Sequence, residues 1–179
     1  MRRYVALVYV TAVAAVVAPP LLVASDIALV RFISTPGLIL QRLALALFAP
    51  ALAGVTLLAQ SHLRLAAVLG AALAAIGAIA IVLRPETLVI AFFPPAVLFP
   101  LGLLVVSGAI LGSATSRRAA VLMGVAALLF PFGHISGLPL LLIGGDVLLL
   151  AAFWMLALQM AKPNPKSQTP NPKSQGTGI

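Results

Sequence analysis

Long apolar runs separated by short polar breaks are the dominant pattern along the chain. Several runs reach the ~18 apolar residues that are needed to cross a hydrocarbon core of about 30 Å. Because backbone polar groups in lipid must be hydrogen-bonded within their own segment, these runs are predicted to be helices. The predicted spans are Tyr4–Ala24, Leu38–Gln60, Leu65–Leu83, Leu88–Leu111, Ala119–His134 and Pro139–Met160.

The breaks between the runs differ in strength. Ser61–Arg64, Arg84–Thr87 and Gly112–Arg118 are short polar turns that contain at least one charge. Gly133–Pro139 is the weakest break because it contains no full charge. The fifth predicted span is also short, since its 16 residues rise by only about 24 Å.

Composition excludes an ordinary soluble domain. Hydrophobic residues make up 63% of the chain and charged residues 8%, whereas soluble domains carry roughly 25% charged residues. The predicted fold class is an all-α integral membrane protein, a bundle of about six transmembrane helices with short loops. Residues 1–161 would form this membrane domain. Residues 162–179, which are rich in Pro, Asn, Ser and Gln, are predicted to be a disordered cytoplasmic tail.

Basic residues predict the orientation. With the N-terminus inside the cell, eight Lys and Arg residues would lie on the inner side and three on the outer side, so both termini of this multi-pass cell-membrane protein are predicted to be cytoplasmic. The inner set is Arg2, Arg3, Arg64, Arg117, Arg118, Lys162, Lys166 and Lys173, and the outer set is Arg31, Arg42 and Arg84. Because most of these residues flank apolar runs, the net charge of +8 predicts contact with the lipid bilayer and no nucleic-acid partner.

The first span has a second interpretation. Arg2 and Arg3 precede an apolar stretch that ends in Val23–Ser25, which resembles a secretory signal with small residues before the cleavage point. Cleavage near Ser25 is therefore an alternative to a retained signal-anchor helix.

Asp146 is the candidate proton or cation site. It lies about three residues outward of the middle of the last span, roughly 4–5 Å from the midplane. An aspartate at such a depth costs on the order of 2.5–3.5 kcal/mol, so it should face other helices or a water pocket. No basic residue is predicted at this depth, and we expect the carboxyl to carry a proton near neutral pH. The alternative is a protonated carboxyl that only hydrogen-bonds between helices.

His134 is predicted to lie close to the outer face. It is a candidate proton relay or metal ligand, or an interfacial residue hydrogen-bonded to a carbonyl. His62, the other histidine, is predicted on the inner side, so the two cannot share a haem or a zinc ion. The sequence therefore predicts no cofactor and no metal.

Four prolines are unusual for apolar spans. Pro19, Pro20, Pro94 and Pro95 fall in the outer halves of the first and fourth spans. Each proline removes a backbone donor and frees the carbonyl four residues earlier. In lipid such carbonyls need internal partners or water, so these prolines mark a candidate outward-facing cavity. Simple kinks that serve packing are the competing interpretation.

Small residues recur at spacings that place them on one helix face, where they let helix backbones approach closely. The predicted packing sets are Gly144 with Ala151, Gly145 with Ala152, Gly108 with Gly112, and Ala67 with Ala71 and Ala75.

Catalytic motifs are lacking. The chain has no cysteine and no HExxH sequence. Ile143–Asp146 departs from the Gly-x-Gly-Asp of intramembrane aspartyl proteases, because Ile143 stands at the first glycine. Those enzymes also need a second membrane aspartate, and Asp26 is predicted to lie outside the spans. We therefore expect that the protein is not an enzyme.

Two function classes remain. The first is transport or permeation of a small solute, a proton or a cation. The alternative is a non-enzymatic accessory or assembly subunit that packs against other membrane proteins, and an intramembrane enzyme ranks below both. Besides the bilayer, the candidate partners are a second copy of the chain or another membrane protein. The polar residues within the spans, which are Thr11, Thr56, Ser107 and Asp146, form a thin set for a transport path.

Overall fold

The computed structural model of the chain describes residues 2–31, 34–83, 95–113, 116–136 and 138–161. Within these ranges the chain is helical, and each helix falls on one of the predicted apolar runs. The helices are α1 (Arg2–Val30), α2 (Ser34–Thr56), α3 (Arg64–Leu83), α4 (Pro95–Leu111), α5 (Arg117–Ser136) and α6 (Pro139–Met160), and a 3₁₀ turn at Ser61–Leu63 precedes α3.

Four segments of the described chain are long and apolar enough to cross a membrane. They are Ala6–Ala28, Thr35–Thr56, Ser61–Val82 and Pro139–Met160, and Val97–Leu111 is apolar but shorter. The fold is thus consistent with a helical membrane protein, and membrane crossing by α4 and α5 stays a prediction. The predicted start of the fourth span at 88–94 and the predicted disordered tail at 162–179 lie outside the described residues.

The helices are arranged in a ring. Each helix packs against the next one along the chain, and α6 packs against α1 and closes the ring. Short connections force neighbouring helices to run antiparallel. The ring therefore brings the first and last helices together, although they are far apart in sequence.

Phenylalanines fill the middle of the ring. Phe48 on α2 meets Phe99 on α4 and Phe153 on α6 edge to face, with ring centroids 5.5 and 5.1 Å apart. Phe99 in turn meets Phe130 on α5 at 5.6 Å. Such pairs are worth about 0.5–1.5 kcal/mol each beyond their area burial. This aromatic cluster joins α2, α4, α5 and α6 and fills the interior of the ring at that height along the bundle.

Glycines bring α3 and α4 into backbone contact. A Cβ atom on Gly77 would collide with the backbone nitrogen of Phe99, and one on Gly102 would collide with the backbone of Ala74. A Cβ on Gly70 would lie 2.9 Å from the carbonyl oxygen of Gly102. The two helices pack closely because these positions carry no side chain.

The predicted small-residue sets have mixed outcomes. Ala67 is fully buried, but Ala71 and Ala75 are only half-buried. Gly145 approaches α5, where an added Cβ would lie 3.5 Å from Leu129, whereas added Cβ atoms on Gly108 and Gly144 would meet none of the described residues within 4 Å. Close packing at Gly108 and Gly144 was therefore a wrong prediction, since these glycines face away from the neighbouring helices.

Polar side chains connect neighbouring helices at the end of the bundle where α3 and α5 begin. Gln60 donates its amide N–H to the carbonyl of Gly112 at 3.0 Å. Ser116 donates to the side-chain oxygen of Gln159 at 2.7 Å. These two bonds connect the ends of α4 and α6 to the turns that precede α3 and α5.

Candidate functional site

Asp146 lies on the interior face of α6, in the third turn of the helix. Its side chain is fully buried, at 0% exposure. Leu149, Phe153 and Leu156 follow it at spacings of three and four residues and are buried as well. This spacing defines a single helix face, so the helix periodicity directs Asp146 into the bundle.

Asp26 lies on the interior face of α1, which corrects the prediction that it lies outside the spans. It is 1% exposed and belongs to the apolar helical segment Ala6–Ala28. The helix does not end at Ala24, because the apolar sequence resumes at residues 27–30 after the polar pair. Ala15, Ala18 and Leu22 precede Asp26 on the same buried face.

The two carboxyl groups meet where α1 packs against α6. Asp26 is the charged neighbour that acts on the Asp146 carboxyl, so the two side chains lie close together. A contact elsewhere along the two helices agrees, since the Trp154 indole N–H donates to the Val16 carbonyl oxygen at 3.0 Å. From this contact Asp26 lies about 15 Å along α1 and Asp146 about 12 Å along α6, so antiparallel helices place them at similar heights.

Hydrogen-bond donors are scarce around the pair. Among the described residues, one oxygen of Asp26 and both oxygens of Asp146 are buried without a hydrogen-bond partner. The other Asp26 oxygen lies 3.3 Å from the Ser25 hydroxyl, but this hydroxyl lies closer, at 2.7 Å, to the Leu22 carbonyl oxygen. Since a hydroxyl has one hydrogen, Ser25 cannot serve both acceptors well.

Two adjoining buried carboxyl groups need a proton or a cation between them. Two carboxylates contain no donor between them, and two like charges repel each other strongly in apolar surroundings. A proton bound to one carboxyl would supply the missing donor and remove one charge. A bound cation would compensate the charge instead.

Arg31 and Arg42 are the described basic residues nearest in sequence to Asp26, and both are exposed. Arg31 follows Asp26 by five residues, rather more than one helical turn, at the end of α1. Arg31 is thus exposed, whereas Asp26 and Asp146 are buried.

The candidate prolines Pro19 and Pro20 lie within the helical sequence of α1 and not at its ends. Pro19 is buried and Pro20 is half-buried. Pro20 lacks the N–H that would bond the Val16 carbonyl within the helix, and Trp154 of α6 donates to this same carbonyl. The backbone group freed by Pro20 is therefore satisfied by a neighbouring helix.

The other candidate prolines are placed differently. Pro95 is the first residue of α4, where its missing N–H would have no partner within the helix in any case. Pro94 lies outside the described residues. The predicted outward-facing cavity near the first and fourth spans therefore stays a prediction.

His134 lies in the last turn of α5. His62 lies in the 3₁₀ turn that precedes α3, and since α3 and α5 run in the same direction, the two histidines are at opposite ends of the bundle. Among the described residues, no group of three or more His, Cys, Asp or Glu side chains comes together as a metal site would require.

The predicted hydroxyl residues of the transport path are engaged elsewhere. Thr11 donates to the Val8 carbonyl at 3.0 Å and Thr56 to the Ala53 carbonyl at 2.7 Å, each within its own helix. Ser107 donates across the α4–α5 contact to the Ala120 carbonyl at 2.7 Å. The carboxyl pair and these hydroxyls are separate features.

Asp26 also bears on the comparison with intramembrane aspartyl proteases. A second buried aspartate lies beside Asp146, so one of the two arguments against that chemistry is removed. Ile143 still occupies the position of the first glycine. The expectation that the protein is not an enzyme stays a prediction.

Comparisons with protein-family models, with curated proteins and with solved structures gave no match to this chain.

Proposed function

We propose that the protein transports a proton or a small cation, with Asp26 and Asp146 as its binding site. One observation carries the proposal, namely the meeting of two buried carboxyl groups from α1 and α6 with three oxygens that lack hydrogen-bond partners among the described residues. Both residues lie in segments that are apolar enough to span a membrane.

The energetic cost of the pair supports a functional role. An aspartate at the centre of a membrane helix costs on the order of 2.5–3.5 kcal/mol to insert. Asp146 lies near the centre of α6, whereas Asp26 lies close to the end of the apolar segment Ala6–Ala28. The chain has only three acidic residues, and two of them share this site. Ionisable residues inside membrane proteins commonly mark proton or ion pathways for this reason. A binding site explains why two buried aspartates lie next to each other. A hydrogen bond that only joins two helices could be made by two uncharged polar side chains, which cost less free energy to insert.

Substitution of each aspartate by asparagine tests the proposal. Asn keeps nearly the same shape and hydrogen-bonding capacity but cannot ionise. We expect Asp146→Asn and Asp26→Asn each to leave expression and folding near wild type and to abolish proton- or cation-coupled flux. Flux would be measured in proteoliposomes that contain a pH-sensitive dye, with an imposed proton gradient and, separately, Na⁺ or K⁺ gradients.

Two further variants serve as controls. Ser25→Ala removes the neighbouring hydroxyl but leaves both carboxyls, and it should retain flux. Asp146→Leu should disturb packing, because it replaces a polar group by a branched apolar one beside Asp26. If the Asn variants transport at the wild-type rate, the carboxyls only connect the helices and the transport proposal is wrong.

An accessory or assembly subunit is the second candidate function. The aromatic cluster around Phe48 and the backbone contact of α3 with α4 support it, because both fill the interior with apolar groups. Affinity purification from native membranes separates the two functions. A stoichiometric partner protein favours the accessory role, and a protein that is purified alone or as a homo-oligomer favours transport.

A further inference from the structure

Two grooves flank the beginning of α5 and share one arginine. The first, about 580 Å³, is lined by Arg117 and Arg118 together with apolar side chains from α5 and α6, namely Val121, Leu122 and Met155. The second, about 460 Å³, adjoins the end of α4 and is lined by Gly108, Leu111, Gly112 and Arg117. An added Cβ on Gly108 would meet no atom of the described chain within 4 Å, which agrees with a groove at this position.

The two arginines carry charges that the described chain does not neutralise locally. Both side chains are exposed. Of the three acidic residues in the chain, Asp26 and Asp146 form the buried pair, and Glu86 lies outside the described residues. Asp146 is nine residues from Met155, about 13 Å along α6 and well beyond the distance of an ion pair.

We propose that these grooves bind one anionic phospholipid, with its phosphate at Arg117 and Arg118 and its acyl chains along the apolar walls. The combination of charge and apolar surface selects this ligand. Guanidinium groups bind phosphate through two parallel hydrogen bonds, and basic pockets between membrane helices suit anionic headgroups. A free phosphate would use the arginines but not Val121, Leu122 and Met155.

The position of Arg117 between the two grooves fits a ligand with one headgroup and two chains. One chain would follow the groove between α5 and α6, and the other would follow the groove beside Leu111. The backbone N–H groups of the first turn of α5 add positive potential at the same end of the helix. The proposal does not depend on transport by the carboxyl pair, which lies elsewhere in the bundle.

Native mass spectrometry of the full chain in detergent tests the proposal, with dioleoylphosphatidylglycerol and dioleoylphosphatidylcholine as probes. We expect wild type to retain one phosphatidylglycerol molecule in preference to phosphatidylcholine. The double variant Arg117→Gln/Arg118→Gln should weaken phosphatidylglycerol binding about 30-fold, because each basic residue near the headgroup contributes about 1 kcal/mol to binding. The matched control Arg31→Gln/Arg42→Gln removes two other exposed arginines and should change binding by less than about threefold.

A groove-filling variant tests the acyl part of the site. Val121 is 50% exposed, so Val121→Trp should fold and fill the groove while both arginines remain. We expect it to lose phosphatidylglycerol retention. Equal losses in the two arginine variants, equal retention of both lipids by wild type, or full competition by soluble glycerol phosphate would each overturn the proposal. Unchanged retention by Val121→Trp would overturn it as well.

Discussion

Pro20 deprives α1 of one backbone hydrogen bond, and Trp154 of α6 replaces it. The carbonyl of Val16, which would accept from residue 20 in an uninterrupted helix, accepts from the Trp154 indole at 3.0 Å instead. The sequence predicted that the carbonyls freed by prolines need partners. It could not identify Trp154 as the partner, since the contact joins residues 138 positions apart.

This bond predicts a rescue between two substitutions. Trp154→Phe keeps an aromatic ring but removes the donor, and it should lower the free energy of unfolding by about 1 kcal/mol. Pro20→Ala should restore much of this loss in the Trp154→Phe background, because the substituted residue regains a backbone N–H that can donate to Val16 within α1. Unfolding would be followed by circular dichroism in mild detergent.

Pro19 provides the matched control for that rescue. Pro19→Ala removes a proline from the same turn but returns a donor to the carbonyl of Ala15, so it should not compensate for Trp154→Phe. Equal rescue by both proline substitutions would show that the effect comes from straightening α1 and not from the Val16 carbonyl.

Asp26 illustrates a residue whose role sequence reasoning missed. The sequence prediction ends the first span before the polar pair Ser25-Asp26, although apolar residues follow this pair. The buried positions of α1, spaced by three or four residues from Thr11 through Leu22, continue directly to Asp26. That periodicity was present in the sequence, but it is hard to recognise in a helix that is apolar on nearly every side.

Helix existence follows from length and apolarity, whereas helix faces do not. The extents of α3 and α6 agree closely with the predicted spans. Orientation about the helix axis was predictable only where polar residues mark a face, as Asp146 does on α6. Alanines and glycines give little such information, which is why Gly108 was wrongly predicted to pack closely and Gly102 was overlooked.

Two glycines of α4 provide a direct test of the α3–α4 contact. Gly102→Ala would place a methyl group against the backbone of α3, and we expect it to lower the free energy of unfolding by roughly 1–3 kcal/mol. Gly108→Ala, on the same helix, would place its methyl group away from every described residue and should change stability by less than about 0.5 kcal/mol. Equal stability of the two variants in chemical denaturation would contradict the backbone contact.

The carboxyl pair is a property of the whole molecule. Asp26 and Asp146 belong to the first and last helices, and they meet only because α6 returns to α1. Local sequence patterns predict the helices and the short connections between most of them. The closing contact depends on how all the helices pack, so neither the ring nor the pair could be read from any single segment.

The ring also connects the topology to the site. If all six helices cross the bilayer, an even number of spans puts both termini on one side, and the excess of Lys and Arg predicts that this side is the cytoplasm. Asp26 and Asp146 then lie in the outer half of the membrane. A reporter that works only in the cytoplasm should therefore be active when it is fused after Ile179. A tag inserted in Arg84–Thr87 should be accessible from outside the cell.

The intact mass of the purified protein completes this topological test. Retention of the first helix, which supplies both Asp26 and the Val16 carbonyl that accepts from Trp154, predicts a mass that includes residues 1–25. Cleavage near Ser25 would leave five spans and separate Asp26 from most of α1. A shortened mass, an outer C-terminus or an odd number of spans would contradict the predicted topology. Cleavage would also remove most of the α1 surface that packs against α6, on which the carboxyl pair depends.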